Sequence, residues 1–166
     1  MPMKKQNHIR QFILSLFALL ASNYLIAQCN CEKIKREDGV TVTVCPPTPV
    51  ASDNSTEIGL SVQSNVENNF LAVTIRFKGT AKNVIGKTTI RLNDNNLFSL
   101  ELVNSDLSYV GNSQVANAVF LLTTESKVLL KKSNIQTISF SLSDNLRHIY
   151  ELKMNSDIVK KQLPCL

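Results

Sequence analysis

Apolar residues recur at every second position from Ile58 onward: Ile58, Leu60 and Val62; Leu71, Val73, Ile75 and Phe77; Ile90 and Leu92; Phe98, Leu100 and Leu102. The series resumes with Ile138, Phe140 and Leu142 and, past a turn at Ser143 to Asn145, with His148, Tyr150, Leu152 and Met154. A period of two belongs to strands with one face buried and the other in water. The segment VANAVFLL, Val115 to Leu122, is apolar on both faces, as a central strand would be. Eight or more short strands with polar turns between them point to an antiparallel sandwich or barrel. The expectation is an all-β sandwich, Ig-like or jelly-roll-like, with an N-terminal hairpin and a short C-terminal helix.

Two segments carry helical features. Glu125 to Lys132 has an apolar group at Val128, Leu129 and Leu130 but spans barely two turns. Ser156 to Leu163 begins with Asp157, ends with Lys160 and Lys161 and is stopped by Pro164, the charge order a helix dipole prefers, and it is the stronger of the two.

Ahead of these strands, CEKIKREDGVTVTVC reads as a β-hairpin with Gly39 in a left-handed turn position. A three-residue loop of Glu37, Asp38 and Gly39 sets Arg36 opposite Val40, Ile34 opposite Val42, Glu32 opposite Val44 and Cys31 opposite Cys45. It also gathers Ile34, Val40, Val42 and Val44 on one face. The next stretch, CPPTPVASDNST, is rich in proline and polar turn-formers, which predicts an extended linker free of sheet hydrogen bonding. The expected organisation is a hairpin over 28–46, a linker over 47–57 and the sandwich over 58–166. Asn54-Ser55-Thr56 matches a glycosylation sequon.

The N-terminus changes how the charge is read. Lys4, Lys5 and Arg10 precede the apolar run Phe12 to Ala21, the layout of a secretory signal over 1–27 with cleavage between Ala27 and Gln28. As a membrane anchor the run is short of the roughly twenty residues a span needs, and a lipidated Cys29 would want a small residue where Gln28 stands. Removing the signal takes three of the eighteen basic residues and none of the thirteen acidic ones, so fifteen against thirteen remain, a net charge of +2. Lys131/Lys132 and Lys160/Lys161 are isolated pairs, without the clustered charge that a nucleic-acid partner requires.

Export also decides the chemistry of the four cysteines, Cys29, Cys31, Cys45 and Cys165. Their spacing fits no zinc ribbon or knuckle, and an oxidising compartment favours disulfides. Of three pairings, Cys29 with Cys31 is strained; Cys31 with Cys45 and Cys29 with Cys165 is expected, and Cys29 with Cys45 and Cys31 with Cys165 is the alternative.

Catalytic chemistry has little to draw on. His8 lies in the signal, leaving His148 as the one histidine for a nucleophile's base, on the same strand face as Tyr150 and Leu152. LNDNNLF, Leu92 to Phe98, gathers oxygens a calcium ion would accept, but a tight turn needs the same residues. Glu101 and Asp106, placed on a strand and at its exit, have no second acid at a glycosidase spacing. For sugar stacking the mature chain offers no tryptophan and only Tyr109 and Tyr150, its phenylalanines Phe70, Phe77, Phe98, Phe120 and Phe140 lying in strands.

The signal ending in Ala27-Gln28, the run of short strands, and KKSNIQTISFSLSD with YELKMNSDIVKKQLPCL resemble small secreted proteins of Bacteroidota without an assigned function. The resemblance implies an exported or envelope location. The functional expectation is a non-catalytic module, without cofactor, that binds an envelope or extracellular protein or supports an envelope assembly. The alternative is a hydrolase or cation-dependent enzyme using His148 with carboxylates that the fold assembles.

Overall fold

The alternating segments form two stacked antiparallel sheets in the computed structural model, which describes residues 29–166. The predicted signal and its cleavage point lie outside the described residues. The strands are β1 (Glu32–Lys35), β2 (Thr41–Val44), β3 (Thr48–Ser52), β4 (Thr56–Ser64), β5 (Asn69–Phe77), β6 (Val84–Leu92), β7 (Leu97–Leu100), β8 (Leu102–Val110), β9 (Ser113–Leu122), β10 (Ile135–Leu142) and β11 (Arg147–Glu151). One sheet has seven strands in the order β1-β2-β4-β5-β9-β8, with β3 also on β4; the other has four, β11-β10-β6-β7. The all-β sandwich is as predicted. Between the sheets lie Ile58, Leu60, Val62, Leu71, Val73, Ile75 and Phe120 from one and Ile90, Leu92, Leu100, Ile138 and Phe140 from the other, each at most 1% exposed.

Three hairpin turns share one construction. In EDG, NDN and SDN an aspartate precedes a residue in the left-handed region: Gly39 at φ 82°, Asn95 at φ 68°, Asn145 at φ 64°. Glycine reaches that region without penalty and asparagine at little cost. The aspartate Oδ1 accepts the amide two residues on, from Val40, Asn96 and Leu146 at 3.0, 3.1 and 3.1 Å. The first of these turns sets the β1–β2 register as expected, with Glu32 opposite Val44 and Ile34 opposite Val42.

The expectation of a free linker over 47–57 is overturned. Thr48–Ser52 is strand β3, paired with β4 from Thr48 opposite Leu60 to Ser52 opposite Glu57, and Thr56 already belongs to β4. β2 and β3 run along the same edge of β4, interrupted at Pro46 and Pro47: Val44 faces Gln63 and Thr48 faces Leu60, so one extra residue is accommodated there. Prolines have no amide to donate, and they are tolerated at such a bulge. A side chain from far along the chain fills the gap. Gln162 accepts a hydrogen bond from the Val62 amide and donates one to the Pro46 carbonyl, both at 3.0 Å.

Two further expectations need correction. Phe98, Leu100 and Leu102 do not share one strand; the chain crosses between sheets at Glu101, so β7 ends in the small sheet and β8 begins in the large one. The helix preference is reversed in length. α1 (Thr124–Lys132) has nine residues, and its Thr123 N-cap side chain accepts the Ser126 amide, whereas α2 (Ile158–Gln162) has five and runs into a 3-10 turn over Leu163–Cys165. α2 is the expected short C-terminal helix, and it buries Val159 and Gln162.

Candidate functional site

The residues singled out for catalysis are not brought together. His148 sits on β11 opposite Phe140, its ring stacked on Tyr150 at a centroid distance of 6.3 Å. Its Nε2 is buried without a hydrogen-bond partner, and no carboxylate bonds to the ring among the described residues. Asp144, in the turn leading to β11, pairs instead with Lys82; that bond, with the Leu146 amide, holds its carboxyl below the usual value. Glu101 forms an exposed ion pair with Lys87, and Asp106 lies in the middle of β8 rather than at a strand exit. Asn93 to Asn96 close the β6–β7 turn, and no cluster of three or more potential metal-binding His, Cys, Asp or Glu side chains occurs among the described residues.

Tyr150 has a structural partner. Its hydroxyl lies 3.1 Å from the Thr56 hydroxyl, a buried bond joining the two sheets. Burial pushes its pKa up, partly countered by the Thr56 bond. Thr56 in turn donates to Asp53, whose Oδ1 also accepts the Ser55 and Thr56 amides at 2.7 Å each. Burial works to raise the Asp53 pKa, but these bonds outweigh it and hold the carboxyl below its ordinary value.

The cysteines pair as expected: Cys31 with Cys45 across the hairpin and Cys29 with Cys165, whose Cα atoms are 5.6 Å apart. Both bridges lie beside Gln162, with Pro46, Ile158 and Lys161 lining a shallow cleft between hairpin and α2. The C-terminal segment is thereby held by one covalent bond and by the two hydrogen bonds of Gln162.

What the sequence did not reveal is the character of the sheet edges. An exposed edge offers unpaired amides and carbonyls to any extended strand, and folded proteins blunt such edges with brevity, lysine, proline or cover. β1 is four residues with two lysines, β7 four residues, and β11 five with Arg147 and Glu151. β3 carries Pro49 and a bulge, and its Pro49 and Val50 carbonyls are taken by the Asn155 side chain and the Lys153 and Met154 amides. β8 differs from all of these. It runs nine residues, pairs among the described residues with β9 alone, touches β6 where the Val84 amide donates to the Ser105 hydroxyl at 3.1 Å, and has one charge, Asp106, and no proline or lysine.

A bulge near its start lies between Leu102 and Asn104, and from Asn104 to Val110 the ladder is regular. Leu107, Tyr109 and Val110 are 48%, 72% and 54% exposed. Tyr109 is fixed in place by the Gln114 amide at 2.9 Å, and Gln114 accepts the Ala81 amide at 2.8 Å. Gly111-Asn112, a two-residue loop with Gly111 at φ 61°, is the sequence signal that marks the end of this strand. No family model matches the chain, and no curated protein or solved structure shows significant similarity to it.

Proposed function

We propose that this protein is an exported, non-catalytic interaction module of the cell envelope that acts by pairing an extended strand with the edge of β8. The observation that carries this reading is the contrast of edges: among the described residues every other edge is short, charged, proline-bearing or covered, whereas β8 is long and, beyond Ser105, whose hydroxyl accepts the Val84 amide of β6, has no strand on its second side. Strand addition at such an edge draws affinity from main-chain hydrogen bonds and selectivity from alternate side chains. Two disulfides support export. A Cys29 sulfur bonded to Cys165 has no valence left for a lipid thioether, which favours cleavage after Ala27. The packing of His148 against Tyr150, with its Nε2 buried and bonded to no carboxylate, weighs for a structural role of this histidine.

Hydrogen exchange tests the reading. In the native host's envelope fraction the amides of Ser105, Leu107 and Tyr109 exchange more slowly than in dilute purified protein. Free exchange there, together with turnover of ester, peptide or glycoside substrates that His148→Ala abolishes, would establish the enzyme instead.

A further inference from the structure

The outward face of the four-stranded sheet carries chemistry that the β8 edge does not use. Of the four arginines among the described residues, Arg36 and Arg76 pair with Asp38 and Glu57. Arg91 and Arg147 form no ion pair among the described residues, and both line one cavity of about 400 Å³ on this face.

Register brings them together. Thr137 faces Arg91 on β6, and Ser139 faces Thr89 on β6 and Ile149 on β11, so these side chains share the solvent face and alternate with the core residues Ile90, Ile138 and Phe140. Arg147, opposite Ser141, reaches back over β10, where its Nη2 donates to the Ser139 hydroxyl at 2.8 Å. Ser139 is 5% exposed and donates in turn to the Thr89 carbonyl at 3.5 Å, so this guanidinium is anchored by one N–H and keeps its other donors available. No carboxylate lines the cavity, and Glu151, which the register sets beside Thr137, pairs with neither arginine.

Two guanidinium forks over a floor of hydroxyls form the donor set for an oxyanion, whose oxygens they match bidentately. The balance of charge narrows the choice: a phosphate monoester carries close to two negative charges near neutral pH, a carboxylate one. Leu97 on β7 and Ile149 on β11 also line the cavity, 61% and 69% exposed, and offer apolar surface to the organic part of an ester. With strands about 4.8 Å apart, the β7 and β11 backbones stand about 14 Å from each other, room for a phosphate bearing a ring-sized group. We infer that the outer face of this sheet binds a phosphate monoester, gripped by Arg91 and Arg147 and flanked by Leu97 and Ile149. The site lies on the other sheet from β8, and its test is independent of what pairs with that strand.

The test is a heteronuclear NMR titration of the mature, disulfide-intact chain with phenyl phosphate, read at the side-chain Nε–H signals of the four arginines. Arg91 and Arg147 shift together and saturate while the paired Arg36 and Arg76 hold still, and benzoate, with one charge, binds several-fold more weakly. Arg91→Gln and Arg147→Gln each weaken binding about tenfold, as the loss of a charge-assisted bond does; both positions are exposed, and the backbone signals verify that the variants remain folded. Four arginines that shift alike without saturating, or phenol binding as well as phenyl phosphate, overturns the site. Vesicles containing phosphatidic acid separate the sources of the phosphate: cosedimentation abolished by the two substitutions together assigns it to a lipid headgroup, and binding of phenyl phosphate without cosedimentation assigns it to a free ester. Failure of both overturns the inference.

Discussion

Gln162 stands in for the backbone where Pro46 and Pro47 interrupt the edge of β4, and its removal has a calculable cost. Gln162→Met keeps the side chain's bulk and deletes both hydrogen bonds. The Pro46 carbonyl belongs to an exposed residue and turns to water, while the amide of Val62, a fully buried residue, is left without an acceptor. An orphaned buried donor costs about 1–3 kcal/mol. Gln162→Ala adds the loss of a methylene in contact with the core, roughly another 0.8 kcal/mol. Urea unfolding with the disulfides intact reads both as a lower midpoint at unchanged slope, by about 1 M for the Met variant at a slope of 1–3 kcal/mol per molar. Hydrogen exchange gives the local reading: the Val62 amide loses protection in the Met variant while the Leu60 amide keeps it. A Met variant within about 0.5 kcal/mol of wild type, where exposed substitutions fall, with Val62 still protected, would refute the claim that this side chain completes the ladder.

Non-reducing peptide mapping recovers Cys31 joined to Cys45 and Cys29 joined to Cys165, and mass spectrometry of the native protein finds Gln28, cyclised, at the N-terminus; a diacylglycerol on Cys29 contradicts both. Replacing Cys29 and Cys165 together by serine costs about 3–5 kcal/mol in thermal or denaturant unfolding, more than replacing Cys31 and Cys45, because the longer loop restrains more of the unfolded chain. His148→Phe keeps the ring stacked on Tyr150 and removes the buried unpartnered Nε2, so stability holds or rises by up to about 1 kcal/mol; a marked loss means the nitrogen has a partner. The Asp53 carboxyl titrates below its unfolded value, so its stabilisation is present above about pH 3.9 and is lost as pH falls towards the folded value. Asp53→Asn then shows a shallower acid limb than wild type, and superimposable limbs discount the role of Asp53.

Local rules carried the sequence far where one turn decides a register. Gly39 after Asp38 is enough to place Cys31 beside Cys45. The same logic was available at Asn95 and Asn145, where asparagine takes the glycine's place. Proline removes an amide donor, so local rules exclude pairing over 47–57; the compensating group is a side chain 116 residues beyond Pro46, which no local window contains. The apolar group of α1 spans barely two turns, and the cap that starts the helix, Thr123, stands outside it. The β7–β8 crossing was hidden by an alternation that continues through Glu101 although the chain changes sheets there. The openness of the β8 edge is a property of strand order, set by which neighbours the other strands choose, and a single strand's residues cannot express it.

The Cys29–Cys165 bridge also determines how the molecule bears tension. These positions are 136 apart in sequence yet adjacent in space, so a pull applied outside them passes from one backbone segment to the other through a single covalent link. Both sheets, the hairpin and both helices sit in the slack of that loop and carry none of the load. Reduction moves the force onto α2 and the β1–β2 hairpin and frees a contour of about 450 Å. The oxidised protein behaves under stretching as a short inextensible clip, and the reduced one as a spring that yields.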